Sequence, residues 1–234
     1  MIHKISGKSN QINAVMAFCH AIRPSAAVME ITTFARIQAI SPGNESLVEA
    51  LIPIETFVEE NDTNQQRIMA IDTKRIATLA KVKNADVEIW IKNGKSRATA
   101  GIRTLENPVF LDHSMRMTNT SFGYGKESFT YNATELKNII EWLSDGDLIT
   151  VTQTATGLKF MGGTTTEKTA TIWGPPKKTT TTTFSTRLLI PVLKILRKRP
   201  KNVTVTIEQS MPLAIQFTIG TMAINYYVVP WIND

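Results

Sequence analysis

The sequence has little cysteine and histidine, and it has no long apolar run. Cys19 is the single cysteine of the 234 residues, so an internal disulfide is excluded and a reducing compartment is favoured. His3, His20 and His113 lie far apart and lack the spacing of a metal site. No run of 18 apolar residues occurs, and residues 1–6 lack the apolar core of a signal peptide. We therefore expect an intracellular protein without a membrane-spanning helix.

The sequence also lacks a recognisable catalytic motif. Cys19 and His20 are neighbours, and neighbours on a helix point about 100° apart, so they do not form a nucleophile–base pair. The glycines at 161–164 lack the lysine and the helix of a phosphate-binding loop. The aspartates at 145–147 have no further ligands nearby and are interpreted as part of a turn. We predict a binding or scaffold protein rather than an enzyme, with no metal and no cofactor.

Positive charge is in excess. The chain has 26 Lys and Arg against 20 Asp and Glu, which gives a formal net charge of +6. This balance favours a polyanionic partner, with nucleic acid first. The alternative is a basic surface that only keeps the protein soluble. The positions of the charges along the chain decide between the two.

Hydrophobic periodicity divides the first half into a helix, strands, a second helix and further strands. Pro24 ends the first helix, Asp72 caps the second, and Asn93-Gly94 is a hairpin signal. A turn is predicted at 41–44. The predicted elements are a helix over 10–22, strands within 27–58 and at 67–71, a helix over 73–82, and strands at 86–92 and 95–104.

The second half repeats this order after a segment without periodicity. Residues 106–127 are rich in Gly, Asn, Thr and Ser, which predicts an extended linker. A strand and a helix follow, capped by Asn132 or Thr134 and running through Leu143. Strands are then predicted at 148–154, 158–162 and 168–173, a Thr-rich stretch at 179–183, a helix from 185, and strands at 203–208, 213–219 and 222–229.

The later helix of each half has the same pattern. At one common offset the matched pairs are Asp72 with Ser185, Thr73 with Thr186, Ile76 with Leu189, Lys81 with Lys194, and Val82 with Ile195. The repeated order of elements predicts two similar domains in tandem. Chance similarity between two amphipathic helices is the alternative.

Both of these helices place cations on the face opposite their apolar residues. Lys74 and Lys81 lie about two turns apart, and Arg187, Lys194 and Lys198 have similar spacing. An ordinary solvated face is the alternative. Because the placement recurs, we predict phosphate contacts that are independent of base sequence and sensitive to salt.

The closing residues carry a more specific signal. Phe184-Ser185-Thr186-Arg187 and Lys194 precede the segment VTVTIEQSMPLAIQFTIGTMAINYYVVPWI, which contains Met211-Pro212-Leu213 and ends in Tyr-Tyr-x-x-Pro. This region resembles the sliding clamps of the proliferating cell nuclear antigen (PCNA) family. Weaker similarity extends over most of the chain, through residues 35–53, 69–72, 145–148 and 157–160. The resemblance is strongest over 129–234 and weakest over 93–127.

The resemblance implies an α+β DNA-clamp fold with two topologically similar domains, each with antiparallel sheets and two helices on the inner face. The domains are expected at 1–106 and 128–234, joined by a connecting linker at 107–127. It also implies a head-to-tail ring, usually a homotrimer, around double-stranded DNA, acting in DNA replication and repair. The expected partners are DNA polymerase, other proteins with clamp-binding peptides, a clamp loader and further copies of the chain.

The resemblance also assigns residues to three surfaces. The client-peptide pocket has Ile40, Leu47, Pro212, Tyr227, Val229, Pro230 and Trp231, with Met117, Phe122 and Tyr124 as linker contributors. Tyr226 and Val228 alternate with this set and are expected to be buried. The DNA-binding residues are Lys8, Lys74, Lys81, Lys137, Arg187, Lys194 and Lys198. The subunit interface has Thr169, Thr171, Ile172 and Trp173, opposite a strand at about 98–105.

Several features depart from the family pattern. The chain is short around 93–110 and 173–183, beside both predicted interfaces, and Pro191 is expected to bend or delay the last helix. Inner-face positions that are not basic are Asn13, Ala14, His20, Asn138 and Glu141. Two alternatives therefore stay open. One is a clamp-like DNA-binding factor that acts as a monomer or dimer without a closed ring, and the other is one subunit of a hetero-oligomeric clamp.

Overall fold

A computed structural model describes residues 2–22, 24, 27–57, 67–93, 95–111, 116–118, 128–174, 179–197, 200–208 and 211–232. The chain divides into two compact units, each assembled from three stretches. Unit 1 consists of Met1–Asn44, Val48–Asn119 and Ile219–Ile224, and unit 2 consists of Glu45–Leu47, Thr120–Thr218 and Asn225–Asp234. The predicted domain boundaries at residues 106 and 128 stay a prediction.

Unit 1 combines antiparallel sheets with a pair of helices in its described part. Its elements are β1 (Ile2–Lys8), α1 (Ser9–Ala21), β2 (Ala27–Ile31), β3 (Phe34–Ile40), a 3-10 turn (Pro42–Asn44), β4 (Ser46–Phe57, from Val48), β5 (Arg67–Ile71), α2 (Thr73–Leu79), β6 (Asp86–Lys92), β7 (Lys95–Ala100), β8 (Arg103–Glu106) and β9 (Val109–Leu111). Strands β4, β1, β6, β7 and β8 are neighbours in that order, and β3, β2, β5 and β9 form a second series.

Unit 2 has the same kinds of element in the same general order. They are β10 (Ser128–Asn132), α3 (Ala133–Leu143), β11 (Leu148–Thr154), β12 (Gly157–Gly162), β13 (Lys168–Trp173), β14 (Thr180–Ser185), α4 (Thr186–Leu196), β15 (Asn202–Thr206), β16 (Leu213–Ile219, to Thr218) and β17 (Met222–Val228, from Asn225). Strands β10, β15, β16 and β17 form one series, and β13, β12, β11 and β14 form a separate four-stranded sheet.

The helices form where the apolar spacing predicts them, and each buries one face. In α1, Ile12, Val15, Met16 and Cys19 are fully buried. In α4 the buried side chains recur three and four residues apart and include Leu189, Val192, Leu193 and Leu196. The opposite faces remain accessible, so any charge on them is available to a partner.

Two helices have a side-chain cap, while the matched start of α4 has none. Asp72 Oδ1 accepts a hydrogen bond from the Arg75 amide at 2.9 Å, and Asn132 Oδ1 accepts one from the Thr134 amide at 2.8 Å. The Ser185 side chain makes no capping hydrogen bond. Asp72 and Ser185 therefore occupy the same position at the start of their helices, but only Asp72 makes a capping hydrogen bond.

Two predicted elements, the strand at 95–104 and the helix over 73–82, are wrong, and two strands lie in segments for which no strand was predicted. The strand predicted at 95–104 is a hairpin of β7 and β8, because Gly101 adopts a left-handed φ of 58° in the two-residue turn before Arg103. Strand β9 lies inside the predicted linker, since the Ser96 hydroxyl donates to Val109 O and accepts from Val109 N. The Thr-rich stretch is strand β14, paired with β11. Helix α2 ends at Leu79, three residues earlier than predicted.

Pro191 neither delays nor ends the last helix. Helix α4 begins at Thr186 and continues through Pro191 to Leu196. Proline removes one backbone donor from the helix interior. The apolar face of α4, buried on both sides of Pro191, offsets that loss.

The caps provide a matched test of local stability. We expect Asp72→Ala to lower the free energy of unfolding by about 1 kcal/mol, since the Arg75 amide loses its acceptor. Ser185→Ala at the equivalent position should have a smaller effect, because no capping bond is lost. Urea denaturation followed by circular dichroism measures both variants, and equal losses for the two would contradict the assignment.

Candidate nucleic-acid and protein interfaces

The structure places the candidate nucleophile out of reach of solvent. Cys19 is buried in α1, and desolvation raises the pKa of its thiol to about 12. His20, its neighbour, is on the exposed side of the helix. Among the described residues no group of three or more His, Cys, Asp or Glu side chains is placed to hold a metal ion. In the same part of the chain, no helix is long and apolar enough to cross a membrane.

The predicted cations of the two later helices are exposed, but one lies beyond its helix. Lys74 lies in α2, whereas Lys81 follows the helix end because α2 stops at Leu79. Arg187 and Lys194 are both exposed on α4. Lys198 lies outside the described residues. Arg197, which the sequence prediction omitted, follows Leu196 directly and is also exposed.

Ion pairs engage half of the described candidate cations. Lys8 Nζ lies 2.8 Å from Asp86 Oδ1, Lys137 Nζ lies 2.8 Å from Glu141 Oε2, and Arg187 pairs with Glu45. Within the described ranges Lys74, Lys81 and Lys194 form no ion pair. These three lysines are the candidates that need not break a contact to meet a phosphate.

Glu141 is the centre of a charge cluster between the two helices of unit 2. It accepts from Lys137 on its own helix and from Arg197 Nη2 at 3.1 Å beyond the end of α4. The hydrogen bond from Lys137, followed by that from Arg197, holds the pKa of the Glu141 carboxyl below its usual value. Because the pair is accessible to solvent, it contributes little to stability. Its consequence is that one carboxylate engages two cations and offsets one of their two positive charges.

The earlier helix of unit 1 has no basic side chain on its exposed face apart from His20. Asn10 is exposed, and Asn13 is partly buried because its amide donates to Ala77 O at 2.7 Å, which joins α1 to α2. Ala14 is buried. The cations are therefore concentrated around α2 and α4.

The C-terminal tail, defined here as residues 229–232, is held to unit 2 by backbone hydrogen bonds. The Val229 amide donates to Glu45 O at 3.0 Å, and the Trp231 amide donates to Thr183 O at 2.7 Å. Val229 and Ile232 are exposed, and the Trp231 side chain is 47% exposed. An apolar tail is thus kept in a defined course with aromatic surface facing solvent.

The three residues before the tail are buried. Tyr226 and Val228 are inaccessible, as predicted, and the Tyr226 hydroxyl donates to Leu188 O at 2.5 Å. Tyr227, which the sequence places in the pocket wall, is also buried, as is Leu47. Ile40, Pro212 and Pro230 are partly exposed. The accessible members of the predicted set in unit 2 are therefore Pro212, Val229, Pro230 and Trp231.

Trp231 borders a cleft of about 620 Å³ within unit 2. Leu148 and Ile190 contribute exposed apolar side chains to it, and Asp147 and Arg187 contribute charge. Sequence reasoning missed Leu148 and Ile190, because each was assigned to the regular pattern of its own strand or helix. Met117 is partly buried in unit 1, and Phe122 and Tyr124 lie outside the described residues.

Strands β8 and β13 are terminal strands of their sheets in the described chain. Within β13, Trp173 is 74% exposed, and Thr169 and Thr171 are also exposed. Ile172 is buried, because alternate residues of a strand point to opposite faces. Next to β8, Ile102 is fully exposed in the hairpin turn. Both strands thus combine a sheet edge with a protruding apolar side chain.

Each of these edges adjoins a cleft with one helix. In unit 1, α2 and β8 border about 740 Å³, lined by Lys74, Arg75 and Arg103 among others. In unit 2, α3 and β13 border about 460 Å³, lined by Glu135, Ile139 and Trp173 among others. The first cleft has three cations and Asp72, whereas Glu135 is the charged residue that lines the second. The two surfaces are therefore complementary in charge.

Comparison with solved structures identifies the fold. The chain matches A. fulgidus PCNA bound to the C-terminal region of FEN-1 with a TM-score of 0.78 and 15% identity, covering 100% of both chains. It matches Entamoeba histolytica PCNA with a TM-score of 0.77 and 14% identity, over 98% of this chain and 99% of that one. It matches a chain of the Sulfolobus tokodaii PCNA2–PCNA3 complex with a TM-score of 0.74 and 15% identity, over 98% of this chain and 99% of that one. No family model and no curated protein matches the sequence.

Proposed function

Because this chain has the α+β fold of the PCNA sliding clamps over its whole length, as its sequence predicts, we propose that it is a non-enzymatic sliding clamp. It encircles duplex DNA and keeps a polymerase on its template. The observation that carries the proposal is the match over the full length of both chains. Its support within the molecule is that the described residues of each unit include two helices, with unpaired lysines around α2 and α4.

The electrostatics suit a protein that slides. Lys74, Lys81 and Lys194 are exposed lysines without an ion pair in the described chain, and a lysine contacts phosphate as a mobile point charge. Such contacts are independent of base sequence and exchange readily. Lys8, Lys137 and Arg187 would first have to leave Asp86, Glu141 and Glu45. The DNA contact is therefore weak, and retention comes from closure of the ring.

Retention on circular DNA tests the function directly. The protein is incubated with nicked circular duplex and separated from free protein by gel filtration, before and after the circle is linearised. A sliding clamp stays on the circle and is lost from the linear DNA. A protein that remains on both forms binds electrostatically without a closed ring, and the sliding proposal is then wrong.

The double variant Lys81→Glu with Lys194→Glu tests the cationic surface in the same assay. Loss of two phosphate contacts should reduce retention on the DNA. It should also lower the slope of log binding constant against log salt concentration by roughly two. The control is Lys95→Glu with Lys159→Glu, which makes the same charge change on strands β7 and β12. Equal losses for the two double variants would show that only net charge matters.

We infer that copies of the chain assemble head to tail, with β8 of one copy paired to β13 of the next. Pairing satisfies the backbone groups of both edges and covers Ile102 and Trp173. Glu135 then faces the cations of the α2–β8 cleft. Because the two surfaces differ, the contact is heterologous and closes into a ring when the rotation permits. The PCNA2–PCNA3 neighbour supports a second candidate, in which the partner is a related chain rather than a second copy.

Trp173→Glu tests this interface. Placing a charge where an exposed aromatic becomes buried should weaken self-association by about tenfold or more. Light scattering after gel filtration over a range of protein concentrations measures the mass. Phe34→Glu is the control, because it changes a side chain of similar character, about half exposed, in β3. A Trp173→Glu protein with the wild-type mass would contradict this interface.

We also infer that client proteins dock by an aromatic-anchored peptide at the C-terminal tail. Trp231 presents a rigid aromatic surface beside Leu148 and Ile190, and aromatic side chains dominate the binding energy of many interfaces. A FEN-1 C-terminal region binds the A. fulgidus neighbour. Tyr227 and Leu47 are buried, so they do not contribute to the accessible surface of such a site.

Two tryptophans of similar exposure in unit 2 give a matched test. Trp231→Ala should weaken binding of a fluorescein-labelled A. fulgidus FEN-1 C-terminal peptide by about 2 kcal/mol, or roughly 30-fold. Trp142→Ala, on α3, should leave it unchanged. Fluorescence anisotropy measures both. If Trp142→Ala has the larger effect, the docking surface lies elsewhere.

A further inference from the structure

A buried side-chain amide in unit 1 binds the backbone of the connecting segment. Gln38, on β3, is 1% exposed. Its Oε1 accepts from the Thr118 amide at 2.8 Å, and its Nε2 donates to Thr118 O at 2.9 Å. The Gln38 amide therefore holds Thr118 as a neighbouring strand would, through one donor and one acceptor.

The orientation of this amide is fixed by a second buried residue. Gln38 Nε2 also donates to Glu49 Oε2 at 2.9 Å. Since a carboxylate oxygen accepts from the amide, the nitrogen and not the oxygen of Gln38 must face Glu49. With the amide in this orientation, Gln38 Oε1 faces the Thr118 amide, and the second hydrogen of Nε2 faces Thr118 O.

Glu49 is itself held by Arg36. The Arg36 Nε and Nη2 atoms lie 2.8 and 2.7 Å from Glu49 Oε2, and Nη1 lies 3.7 Å from Glu30 Oε2. Glu30 and Glu49 are both buried. The polar chain thus runs from Glu30 through Arg36, Glu49 and Gln38 to Thr118. Such networks are rigid when satisfied, and costly when one member loses its partner.

The anchored residue lies beside candidate docking residues of unit 1. Arg36, Gln38 and Ile40 alternate along β3 and share one face of the strand. Ile40 is partly exposed, and Met117, which precedes Thr118, is partly buried. A segment fixed at Thr118 is therefore fixed next to the two apolar residues of unit 1 that are assigned to the client-peptide pocket.

We propose that Gln38 is a positioning residue for client docking, which holds residues 116–118 against β3 through the backbone of Thr118. This inference rests on the proposed function. Because recognition uses backbone groups and the Thr118 side chain is exposed, the anchor is indifferent to the residue type at 118. Proline is the exception, since it has no amide hydrogen.

Variants at the two ends of the anchor separate positioning from stability. Gln38→Glu keeps the acceptor for the Thr118 amide but places a carboxylate against Glu49 and Thr118 O. Thr118→Pro removes the donor to Gln38 Oε1 and keeps the contacts among Gln38, Glu49 and Arg36. Thr118→Ala is the control, because it keeps both backbone groups. Thr118 is on the surface, so the Thr118 variants fold even if Gln38→Glu is too unstable to study.

Three measurements are made on the full chain: hydrogen exchange of the Thr118 amide by NMR, binding of the labelled FEN-1 C-terminal peptide, and urea denaturation. We expect Gln38→Glu to speed Thr118 exchange, whereas the wild type and Thr118→Ala protect it. Gln38→Glu and Thr118→Pro should weaken peptide binding by about tenfold, the scale of one hydrogen bond of about 1.4 kcal/mol. Thr118→Pro should lower the unfolding midpoint less than Gln38→Glu does, because it keeps Gln38 bonded to Glu49.

The outcomes distinguish this proposal from the proposed function. A wild-type protein that binds no peptide overturns client docking, and the positioning role fails with it. A wild type that binds, while Thr118→Pro and Gln38→Glu bind equally well, overturns the positioning role alone. Fast exchange of Thr118 in the wild type would show that the anchor does not form. A lower unfolding midpoint for Gln38→Glu with unchanged peptide binding would make the network purely structural, which also overturns the proposal.

Discussion

A sheet edge presents backbone donors and acceptors that lack a strand on one side, and such an edge must be paired, covered or made unattractive. In this chain the terminal strands β8 and β13 each lie beside an exposed apolar side chain, Ile102 and Trp173. An edge of this kind can pair with a strand of another chain. Pairing one edge with the other gives a contact that repeats from copy to copy and covers both side chains. The proposed ring, and with it the proposed retention on DNA, follows from that single constraint.

Closure of the proposed ring changes what the proposed DNA-facing surface must do. A protein held by topology needs contacts that neutralise phosphate without stopping its movement. The three lysines that form no ion pair in the described chain meet that need, whereas several other candidate cations are engaged by carboxylates. Glu141 engages both Lys137 and Arg197 and offsets one of their two charges. The number of Lys and Arg residues therefore overstates the number of cations that can meet a phosphate without leaving a carboxylate.

Much of the fold could be predicted from periodicity, because the long helices and strands bury one face each. The elements that were not predicted share a physical cause. Their structure depends on a partner strand that is distant in sequence or on one backbone angle. Strand β14 is a threonine run without alternation, and its pairing with β11, including the Thr150–Thr183 hydroxyl contact, defines it. The hairpin at Gly101 depends on a left-handed φ. No local pattern distinguishes either from a loop or a continuous strand.

The candidate sites were harder to predict for the same reason. Arg187 has the sequence pattern of a free helix cation, yet Glu45, far away in sequence, pairs with it. Strand alternation with the buried Tyr226 and Val228 predicts that Tyr227 faces away from the core, but Tyr227 is also buried. No local pattern distinguishes Gln38 from the other residues of its strand, and only its contacts with Glu49 and Thr118 show that it is an interior anchor. Electron microscopy of negatively stained protein on nicked circular duplex tests the central claim most directly. The account predicts closed rings with the duplex passing through a central hole, and isolated particles attached to the side of the duplex would contradict it.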